Sequence, residues 1–269
     1  MAHQARKRFG QHFLTDISIV NAIVSRIQAQ GFDRVIEIGP GLGAMTLPLL
    51  QNDIDLDVVE IDRDLVDYWR KQSIPKLTIH QADALEFDFL GWSKLALETI
   101  TKNNSNGRVK IIGNLPYNIS TPLLFHLTHA IEYVDQQVFM LQKEVIDRMV
   151  AKPGDSDYGR LSVMLQILYD IDFCFEVPPS SFDPPPRVNS AVVSMLPKRN
   201  VKISNKEWAS LEKIVAKAFA HRRKVLGNNI SQYKEILELD EQTLRLRAQD
   251  IDGQTYLLWA KKLANLSHE

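Results

Sequence analysis

Five short apolar runs, most of them separated by helical patterns, are the feature that most limits what this chain can fold into. The runs are Arg34–Ile38, Leu56–Ile61, Leu77–His80, Val109–Gly113 and Gln137–Gln142. Runs of this length are typical of buried strands, and their alternation with helices predicts an α/β fold with a parallel, doubly wound sheet. Because such sheets bind ligands beyond the carboxyl ends of their strands, the residues that follow each run are the first candidates for a site.

The pattern changes after the fifth run. A helix is predicted at Arg160–Tyr169, followed by strands at Asp170–Val177 and Ala191–Leu196. No helical pattern separates these two strands, so we expect an antiparallel hairpin at an edge of the sheet.

The rest of the chain carries helical patterns alone. Lys206–Leu226 is expected to form one helix that stops at Gly227, and further helices end near Leu266. We therefore predict two domains, an α/β domain over residues 1–198 and a small all-α domain over residues 199–269.

Composition limits the partners and cofactors. The 269 residues carry a net charge of −1, so binding to nucleic acid must use local patches, of which Arg6–Arg8 and His221–Lys224 are the candidates. Cys174 is the only cysteine, which excludes a cysteine-based zinc cluster, and we predict no metal. No stretch reaches the roughly 18 apolar residues of a membrane span and no secretory signal is visible, so a cytoplasmic protein without a membrane partner is expected.

The glycine-rich segment Glu37–Gly43 follows the first predicted strand. Its glycines allow the backbone to turn sharply and to approach a ligand closely. The spacing is Gly-x-Gly-x-Gly, and Ala44 satisfies the looser form of the dinucleotide fingerprint. By itself, this segment therefore fits NAD as well as other cofactors that contain adenosine.

Acidic residues lie at the carboxyl ends of the next two strands. Glu60 lies about twenty residues beyond the glycine segment, where a carboxylate can accept hydrogen bonds from both ribose hydroxyls of an adenosine. Asp83 follows the third run and can accept a hydrogen bond from an adenine amino group, although a helix N-cap would explain this residue as well. Together with the glycines, the two acids predict an adenosine-containing ligand across the carboxyl edge of the sheet.

The tetrapeptide Asn114-Leu115-Pro116-Tyr117 follows the fourth run directly. An amide, backbone carbonyls and an aromatic ring at one strand end suit chemistry on a flat ring that bears an amino group. The Asn114 side chain and the Leu115 carbonyl can accept hydrogen bonds from an adenine amino group, which favours a pyramidal nitrogen with an exposed lone pair. Tyr117 can stack on the ring, with a stabilisation on the order of 1–3 kcal/mol.

The same tetrapeptide favours one class of cofactor. A dehydrogenase needs a proton donor and acceptor beside its substrate, whereas methyl transfer from the sulfonium of S-adenosylmethionine to an amine needs mainly alignment. The tetrapeptide supplies alignment and no acid or base, so S-adenosylmethionine is the predicted cofactor. Cys174 lies in an apolar, strand-like segment, which argues against the thiolate chemistry that is used on cytosine rings.

Taken in order, the motifs of this chain resemble those of the small-subunit ribosomal RNA adenine dimethyltransferases. The matching segments are Lys7–Leu14, Glu37–Gly41, Glu60–Asp62, Asp83–Ala84, Asn114–Asn118, Phe182–Val188 and Phe219–Lys224. The resemblance implies a Rossmann-like class I S-adenosylmethionine-dependent methyltransferase domain over residues 1–198 and a helical domain for RNA recognition over residues 199–269. It also implies the reaction, which is dimethylation of two adjacent adenosines near the 3′ end of 16S ribosomal RNA during assembly of the small subunit.

The resemblance further implies roles for individual residues. Cofactor contacts fall on His12, Leu14, Gly39, Gly41, Glu60, Asp83 and Asn114, the target base is held by Asn114, Leu115, Pro116, Tyr117 and Phe182, and RNA phosphates meet Arg187, Arg222, Arg223 and Lys224. Phe182 is expected opposite Tyr117 across the base, with an anchor for the proline-rich loop as its alternative role. Family members often have Asn where His12 stands. A charged helix end is the alternative explanation of the basic run.

Other functions share part of these features. Macrolide-resistance methyltransferases, which act on large-subunit RNA, have a similar cofactor loop and an Asn-x-Pro-Tyr element, but the pair Asn228-Asn229 favours the small-subunit family. DNA adenine methylation is disfavoured because no extra recognition domain is visible. A ribosome-assembly factor whose methylation is secondary also fits. The expected partner is small-subunit RNA within an immature 30S particle, and the protein is expected to be a monomer.

Overall fold

The structure, a computed structural model, describes residues 11–103 and 105–266. The predicted basic cluster Arg6–Arg8 and the first part of the motif Lys7–Leu14 lie outside the described residues. The chain separates into two compact units. One consists of the described part of residues 1–146 together with Asp172–Pro197, and the other of Asp147–Ile171 together with the described part of residues 198–269.

The strands and helices are as follows. The strands are β1 (Phe13–Leu14), β2 (Arg34–Ile38), β3 (Asp55–Glu60), β4 (Leu77–Gln81), β5 (Val109–Asn114), β6 (Gln136–Gln142), β7 (Tyr169–Val177), β8 (Phe182–Asp183) and β9 (Ser190–Pro197). The helices are α1 (Ile17–Ile27), α2 (Thr46–Leu50), α3 (Arg63–Gln72), α4 (Phe89–Lys102), α5 (Ser120–Leu127), α6 (Lys143–Val150), α7 (Arg160–Leu168), α8 (Asn205–Ala218), α9 (Leu226–Ile230), α10 (Lys234–Leu237), α11 (Glu241–Arg245) and α12 (Gly253–Leu266).

Within the described residues, a sheet of seven strands has the order β4-β3-β2-β5-β6-β9-β7. Strands β2 to β6 pair in parallel, and β9 is antiparallel to β6. The strand order reverses between β2 and β5, which places a ligand-binding crevice beyond the carboxyl ends of these two strands. The predicted doubly wound sheet is confirmed, and every predicted strand agrees with the observed one to within one residue at each end.

Burial explains why the parallel strands are continuous apolar runs. Val35, Ile36 and Ile38 of β2 are at most 2% exposed, as expected for strands that helices cover on both faces. The first helix, α1, begins where the Asp16 side chain accepts hydrogen bonds from the backbone N–H groups of Ser18 and Ile19. Its buried residues recur at helical spacing and join the core of the sheet.

A small second sheet connects two distant parts of this unit. Strand β1 pairs antiparallel with β8, so that Leu14 lies opposite Phe182 and Phe13 opposite Asp183. The backbone N–H of Thr15 also donates to the carbonyl of Ser181, at 2.9 Å. This pairing brings the end of the N-terminal motif beside the proline-rich loop. Strands of two residues are too short to show a periodic pattern, so the pairing could not be predicted from the sequence.

The helix predicted at Lys206–Leu226 is wrong at its carboxyl end. Helix α8 ends at Ala218, and residues 219–225 form turns before α9 begins. The side chain of Asn229 donates to the carbonyls of Ala218 and His221, at 2.8 and 3.3 Å, and so satisfies groups that a longer helix would have bonded internally. The basic run therefore lies in a turn.

The helical unit also takes in residues 147–171, which the single predicted boundary assigned to the first domain. Helix α7 explains the difference, because it is buried on almost all sides and packs against α8 and α12. In α12, Tyr256 and Trp259 are buried with their rings edge to face at 5.2 Å. No helix in the described part of the chain combines the length and apolar character that crossing a membrane requires.

Candidate active site at the carboxyl edge of the sheet

A cavity of about 310 Å3 lies beyond the carboxyl ends of β2, β3, β4 and β5. Most of the residues predicted to bind the cofactor and the target base line it. These are His12, Leu14, Gly39, Gly41, Glu60, Asp83, Asn114, Leu115, Pro116 and Tyr117. Residues separated by up to about a hundred positions in the sequence are thus brought together because parallel strands end at the same edge.

The glycine segment forms one wall of the cavity. Gly39 and Gly41 have φ values of 69° and 53°, in the left-handed region that favours glycine. A Cβ atom on Gly39 would lie 3.8 Å from the carbonyl oxygen of Asn114, and one on Gly41 would lie 3.1 Å from the ring of Phe13. Trp69 supports the loop from behind, since its Nε1 donates to the carbonyl of Gly41 at 2.9 Å.

Glu60 ends β3 and is 6% exposed. The backbone N–H of Asp62 donates to Glu60 Oε1 at 2.9 Å, which fixes the carboxylate at the cavity wall. Burial raises the pKa of the Glu60 carboxyl, and hydrogen bonds from the backbone N–H groups of Asp62 and Gly41 oppose this rise.

Asp83 follows β4 and shapes a turn. Its Oδ1 accepts from the backbone N–H of Leu85 at 2.9 Å, and its carbonyl accepts from Glu86 at 3.0 Å. The residue that caps the next helix, α4, is Asp88. Asp83 is therefore not the N-cap of that helix, and within the described residues its Oδ2 makes no hydrogen bond.

Glu37 is a cavity residue that sequence reasoning did not single out. It is fully buried in β2, where Thr46 Oγ1 donates to its Oε2 at 2.6 Å. Its Oε1 is buried with no hydrogen-bond partner among the described residues. Burial raises the pKa of Glu37 to about 7, the bond from Thr46 lowers it, and the charge of Glu60 raises it. An acid inside an apolar strand run was the available signal.

The electrostatics of the cavity discriminate between cofactor classes. Glu37, Glu60 and Asp83 line it, and no Lys or Arg does so in the part of the chain that the structure describes. A dinucleotide would bring the negative charge of its pyrophosphate against these acids. S-adenosylmethionine instead carries a sulfonium and an ammonium, and the unpartnered Oε1 of Glu37 fits such a cation, so the residues present suit this cofactor.

The side chain of Asn114 is oriented by the N-terminal segment. Its Nδ2 donates to the carbonyl of His12 at 3.1 Å, so Oδ1 is the side that can accept a hydrogen bond. The backbone N–H of Leu115 donates to the carbonyl of Met140 at 3.1 Å, and no described residue donates to the Leu115 carbonyl. Two acceptors are thus available where β5 ends.

Tyr117 and His12 face each other in the cavity. The Tyr117 hydroxyl shares a hydrogen bond of 2.6 Å with Ser190 Oγ, and burial raises the pKa of Tyr117, so the phenol stays neutral at physiological pH. The imidazole of His12 is stacked on the Tyr117 ring, with centroids 5.9 Å apart and planes inclined by 24°. Its Nδ1 lies 2.7 Å from the carbonyl of Pro184, to which it donates.

Phe182, which is predicted to lie opposite Tyr117 across the base, stays a prediction in this role. It is 4% exposed, packs in the core with Leu14 and lies outside the residues that line the cavity. Because directly opposite residues of an antiparallel pair share one face, Phe182 lies on the same side as Leu14, which belongs to the core and also lines the cavity. The packing agrees with the alternative role of an anchor for the loop. Arg187, further along this loop, is exposed.

The basic run lines a separate pocket in the helical unit. This pocket, of about 450 Å3, is formed by His221, Arg222, Arg223, Lys224 and Asn228. The Arg222 guanidinium donates to the carbonyls of Ser156 and Tyr158, at 2.7 and 2.9 Å, and so holds a loop of its own unit. Arg222, Arg223 and Lys224 are all exposed. Among these predicted phosphate-binding residues, Arg222 thus already makes hydrogen bonds within the protein.

Two further features concern metal binding and the single cysteine. Within the described residues, no group of three or more His, Cys, Asp or Glu side chains is arranged to hold a metal ion. Cys174 is half-buried in β7, where it packs against the core, and burial raises the pKa of its thiol.

The chain is similar to known proteins over almost its full length. The family model for ribosomal RNA adenine dimethylase matches residues 2–260. The chain is 50% identical over 258 residues to ribosomal RNA small subunit methyltransferase A of Bordetella petrii, covering 95% of this chain and 94% of the relative. It is 51% identical over 241 residues to the protein of the same name from Bordetella pertussis, covering 89% and 86% of the two chains.

Solved structures show the same fold. A dimethyladenosine transferase from Plasmodium falciparum superposes with a TM-score of 0.74 at 23% identity, covering 93% of this chain and 98% of that one. The 23S rRNA methyltransferase ErmE superposes with a TM-score of 0.64 at 18% identity, covering 93% and 99%.

The sheet order, the antiparallel strand β9 and the acid-lined cavity at the switch point fit the class I methyltransferases that depend on S-adenosylmethionine. The class is resolved further by the match over residues 2–260 and by relatives that are about half identical in sequence. This chain belongs to the ribosomal RNA adenine dimethylase family.

Proposed function

We propose that this protein transfers methyl groups from S-adenosylmethionine to the N6 amino groups of two adjacent adenosines near the 3′ end of 16S ribosomal RNA. The observation that carries the proposal is the pair of available acceptors at the end of β5, beside the ring of Tyr117 and next to an acid-lined cavity. Relatives at about 50% identity are small-subunit methyltransferases, whereas the similarity to the large-subunit enzyme ErmE is one of fold.

The cofactor is assigned to four parts of the cavity. Glu60 accepts hydrogen bonds from the ribose hydroxyls, Asp83 accepts one from the adenine amino group, and the backbone of Gly39–Gly41 lies against the methionine part. We assign the unpartnered Oε1 of Glu37 to the ammonium group, directly or through water. When bound, S-adenosylmethionine supplies a methyl group that its sulfonium makes electrophilic.

The residues at the end of β5 prepare the nucleophile. An adenine amino nitrogen is a poor nucleophile because its lone pair is delocalised into the ring. Hydrogen bonds from its two protons to Asn114 Oδ1 and the Leu115 carbonyl pull the group towards a pyramidal shape and expose the lone pair, while Pro116 fixes the turn that leads to Tyr117. With S-adenosylmethionine bound, the methyl group would pass from its sulfur to this nitrogen, and the excess proton would then leave to solvent without a dedicated base.

The substrate is recognised outside this cavity. We assign phosphate contacts to Arg187, Arg223 and Lys224, which are exposed, and a mainly positioning role to Arg222, which is bonded to a neighbouring loop. The partner is small-subunit RNA within an immature 30S particle, and the protein acts as a monomer in the cytoplasm.

A methylation assay on three substrates tests the function. Naked 16S RNA, immature small subunits and large-subunit RNA are incubated with the protein and S-adenosylmethionine, and digests are read by mass spectrometry. Dimethyladenosine on two adjacent residues of the immature small subunit is the expected result. Product on large-subunit RNA would identify a macrolide-resistance type of enzyme. Tight subunit binding without methyl incorporation would overturn the catalytic proposal and leave an assembly factor.

A further inference from the structure

We propose that Trp69 is a positioning residue for the cofactor, because its indole holds the glycine loop Gly39–Gly43 in the shape that receives S-adenosylmethionine. Trp69 lies in α3, outside the motifs that carry the family resemblance and outside the residues that line the cavity. The inference rests on the proposed function, because it takes S-adenosylmethionine to be the ligand of this loop. It concerns binding of the cofactor, whereas Asn114 and Leu115 are assigned to the target amine.

The indole N–H fixes one side of Gly41. Trp69 Nε1 donates to the carbonyl of Gly41 at 2.9 Å. On the other side, the backbone N–H of Gly41 donates to the carboxylate of Glu60, to which the ribose hydroxyls are assigned. Both polar backbone groups of Gly41 are therefore used, one towards α3 and one towards the end of β3. A change at Trp69 is transmitted through this one residue to the carboxylate that is expected to bind the ribose.

The ring of Trp69 also packs directly against Gly43. A Cβ atom on Gly43 would lie 2.5 Å from Cη2 and 2.8 Å from Cζ2 of the indole, well inside the roughly 3.5–4.0 Å of a carbon–carbon contact. Gly43 has a φ of 94°, so its backbone conformation favours glycine as well. The indole thus contacts the loop at two of its three glycines, by a hydrogen bond at Gly41 and by close packing at Gly43.

Helix α3, which carries Trp69, is anchored by its own cap and by its buried face. Its N-cap is Asp62, and Leu65, Val66 and Trp69 are at most 1% exposed. A loop with three glycines has many alternative backbone conformations, and a ligand that has to order such a loop loses affinity. The bond from Trp69 restricts these conformations before the cofactor arrives, so its removal is expected to weaken binding.

A purely structural role is the alternative for a tryptophan that is buried to this degree. A buried indole N–H needs a hydrogen-bond partner, and here the partner is a carbonyl of the cofactor loop. Both roles predict a less stable variant. Only the positioning role predicts that a folded variant binds the cofactor less tightly and still transfers methyl groups at the normal maximal rate.

Trp69→Phe keeps an aromatic ring and removes the donor. Its affinity for S-adenosylhomocysteine, measured by calorimetry at a temperature where circular dichroism shows a folded protein, is expected to fall about tenfold, which corresponds to about 1.4 kcal/mol. The KM for S-adenosylmethionine in methylation of immature small subunits should rise by a similar factor, and kcat should change less than about twofold. The matched control is Trp259→Phe, at a buried tryptophan of the helical unit, which should leave the affinity unchanged.

An unchanged affinity in a folded Trp69→Phe variant, or a fall in kcat without a change in affinity, would overturn the inference. If this variant does not fold, NMR of the wild-type protein with ¹⁵N-labelled indole groups decides. The Trp69 resonance is the one that remains when Trp92, Trp208 and Trp259 are replaced by Phe, one at a time. A shift of this resonance on addition of S-adenosylhomocysteine that exceeds the shift of the Trp259 resonance supports the inference, and an unchanged resonance contradicts it.

The two proposals fail in different ways. Absence of methylation by the wild-type protein would overturn the proposed function and leave this inference standing, because binding of S-adenosylhomocysteine is measured without RNA. A wild-type protein that does not bind S-adenosylhomocysteine would overturn both.

Discussion

The polar groups at the two ends of strand β5 differ in whether they have hydrogen-bond partners within the protein. Near the amino end, Lys110 is 5% exposed, and its ammonium lies 2.8 Å from the Asp33 carboxylate. The same ammonium donates to the carbonyls of Ile27 and Gln28, at 3.0 and 2.9 Å. At the carboxyl end, the acceptors of Asn114 and Leu115 are available, and on the adjacent strand β2 the Oε1 of Glu37 is buried without a described partner.

This difference separates stability from ligand binding along one strand. Buried polar groups that are fully paired cost little and hold elements together, whereas an unpaired buried group lowers stability until a ligand satisfies it. Asp33 also accepts from the backbone N–H groups of Gln30 and Arg108, so the amino end is closed. We expect substitutions there to change the free energy of unfolding, and substitutions at the other end to change catalysis and cofactor affinity.

The largest effect is expected at the closed end. Lys110→Met removes the partner of a buried carboxylate and should lower the free energy of unfolding by about 3–5 kcal/mol. Urea denaturation followed by circular dichroism measures this. The double variant Asp33→Asn with Lys110→Met should lose less, because no unpaired charge is left. A loss below about 1 kcal/mol in the single variant would break the comparison.

At the open, carboxyl end of the same strand, Asn114→Ala should lower the rate of methyl transfer. Without the acceptor for the target amine, single-turnover methylation of immature small subunits should fall about 10²–10³-fold, the usual cost of one lost transition-state hydrogen bond. Calorimetry with S-adenosylhomocysteine should show affinity within about threefold of the wild-type value. If methylation were near normal, Asn114 would have no part in orienting the amine.

In the absence of cofactor, the ionised form of Glu37 should lower the free energy of unfolding. Its pKa rises from 4.5 to about 7 on folding, so the folded protein binds more protons than the unfolded chain between these pH values. Stability is therefore lost as the pH rises through this window. Glu37→Gln should be free of this loss, so its stability relative to wild type should increase by about 2–3 kcal/mol from pH 5 to pH 8. Urea denaturation of both cofactor-free proteins tests this. If the free energy of unfolding depended on pH equally in both, the pKa of Glu37 would not be raised in the folded protein.

The smallest effect sharpens the same distinction in the helical unit. Arg222 and Arg223 are both exposed, but Arg222 also donates to two carbonyls of a neighbouring loop. Arg223→Ala should reduce the slope of log affinity for RNA against log salt concentration by about 1, and leave the melting temperature unchanged. Arg222→Ala should lower the melting temperature as well. An unchanged slope in a triple variant of Arg222, Arg223 and Lys224 would locate RNA binding elsewhere.

The parts of the fold that could be predicted are those that depend on residues adjacent in the sequence. The β2 and β5 runs could be recognised as buried strands because helices cover both faces of a parallel sheet, and Glu60 and Asp83 could be placed because parallel strands end together. The tetrapeptide that ends in Tyr117 directly follows such a run. Local pattern was sufficient for these features.

The features that were missed depend on distant partners. Helix α8 ends early because Asn229, eleven residues beyond Ala218, bonds the last carbonyl. Phe182 lies beside Leu14 because β8 pairs with a strand about 170 residues earlier in the chain, and pairing of this range leaves no local periodicity. The unpaired oxygen of Glu37 depends on how deeply the residue is buried and on which of its two oxygens Thr46 contacts. Neither can be predicted from the residue types alone.

The most direct test of the open end is the pH dependence of cofactor binding. Calorimetric titration with S-adenosylhomocysteine at pH 6 and pH 8 should show a wild-type affinity that rises about tenfold, because the ammonium binds the ionised form of Glu37 and the carboxyl is mostly protonated at pH 6. Glu37→Gln should bind more weakly at pH 8 and with a flatter pH dependence. The same pH dependence and affinity in the variant as in the wild type would contradict the assignment of the unpartnered oxygen to the cofactor.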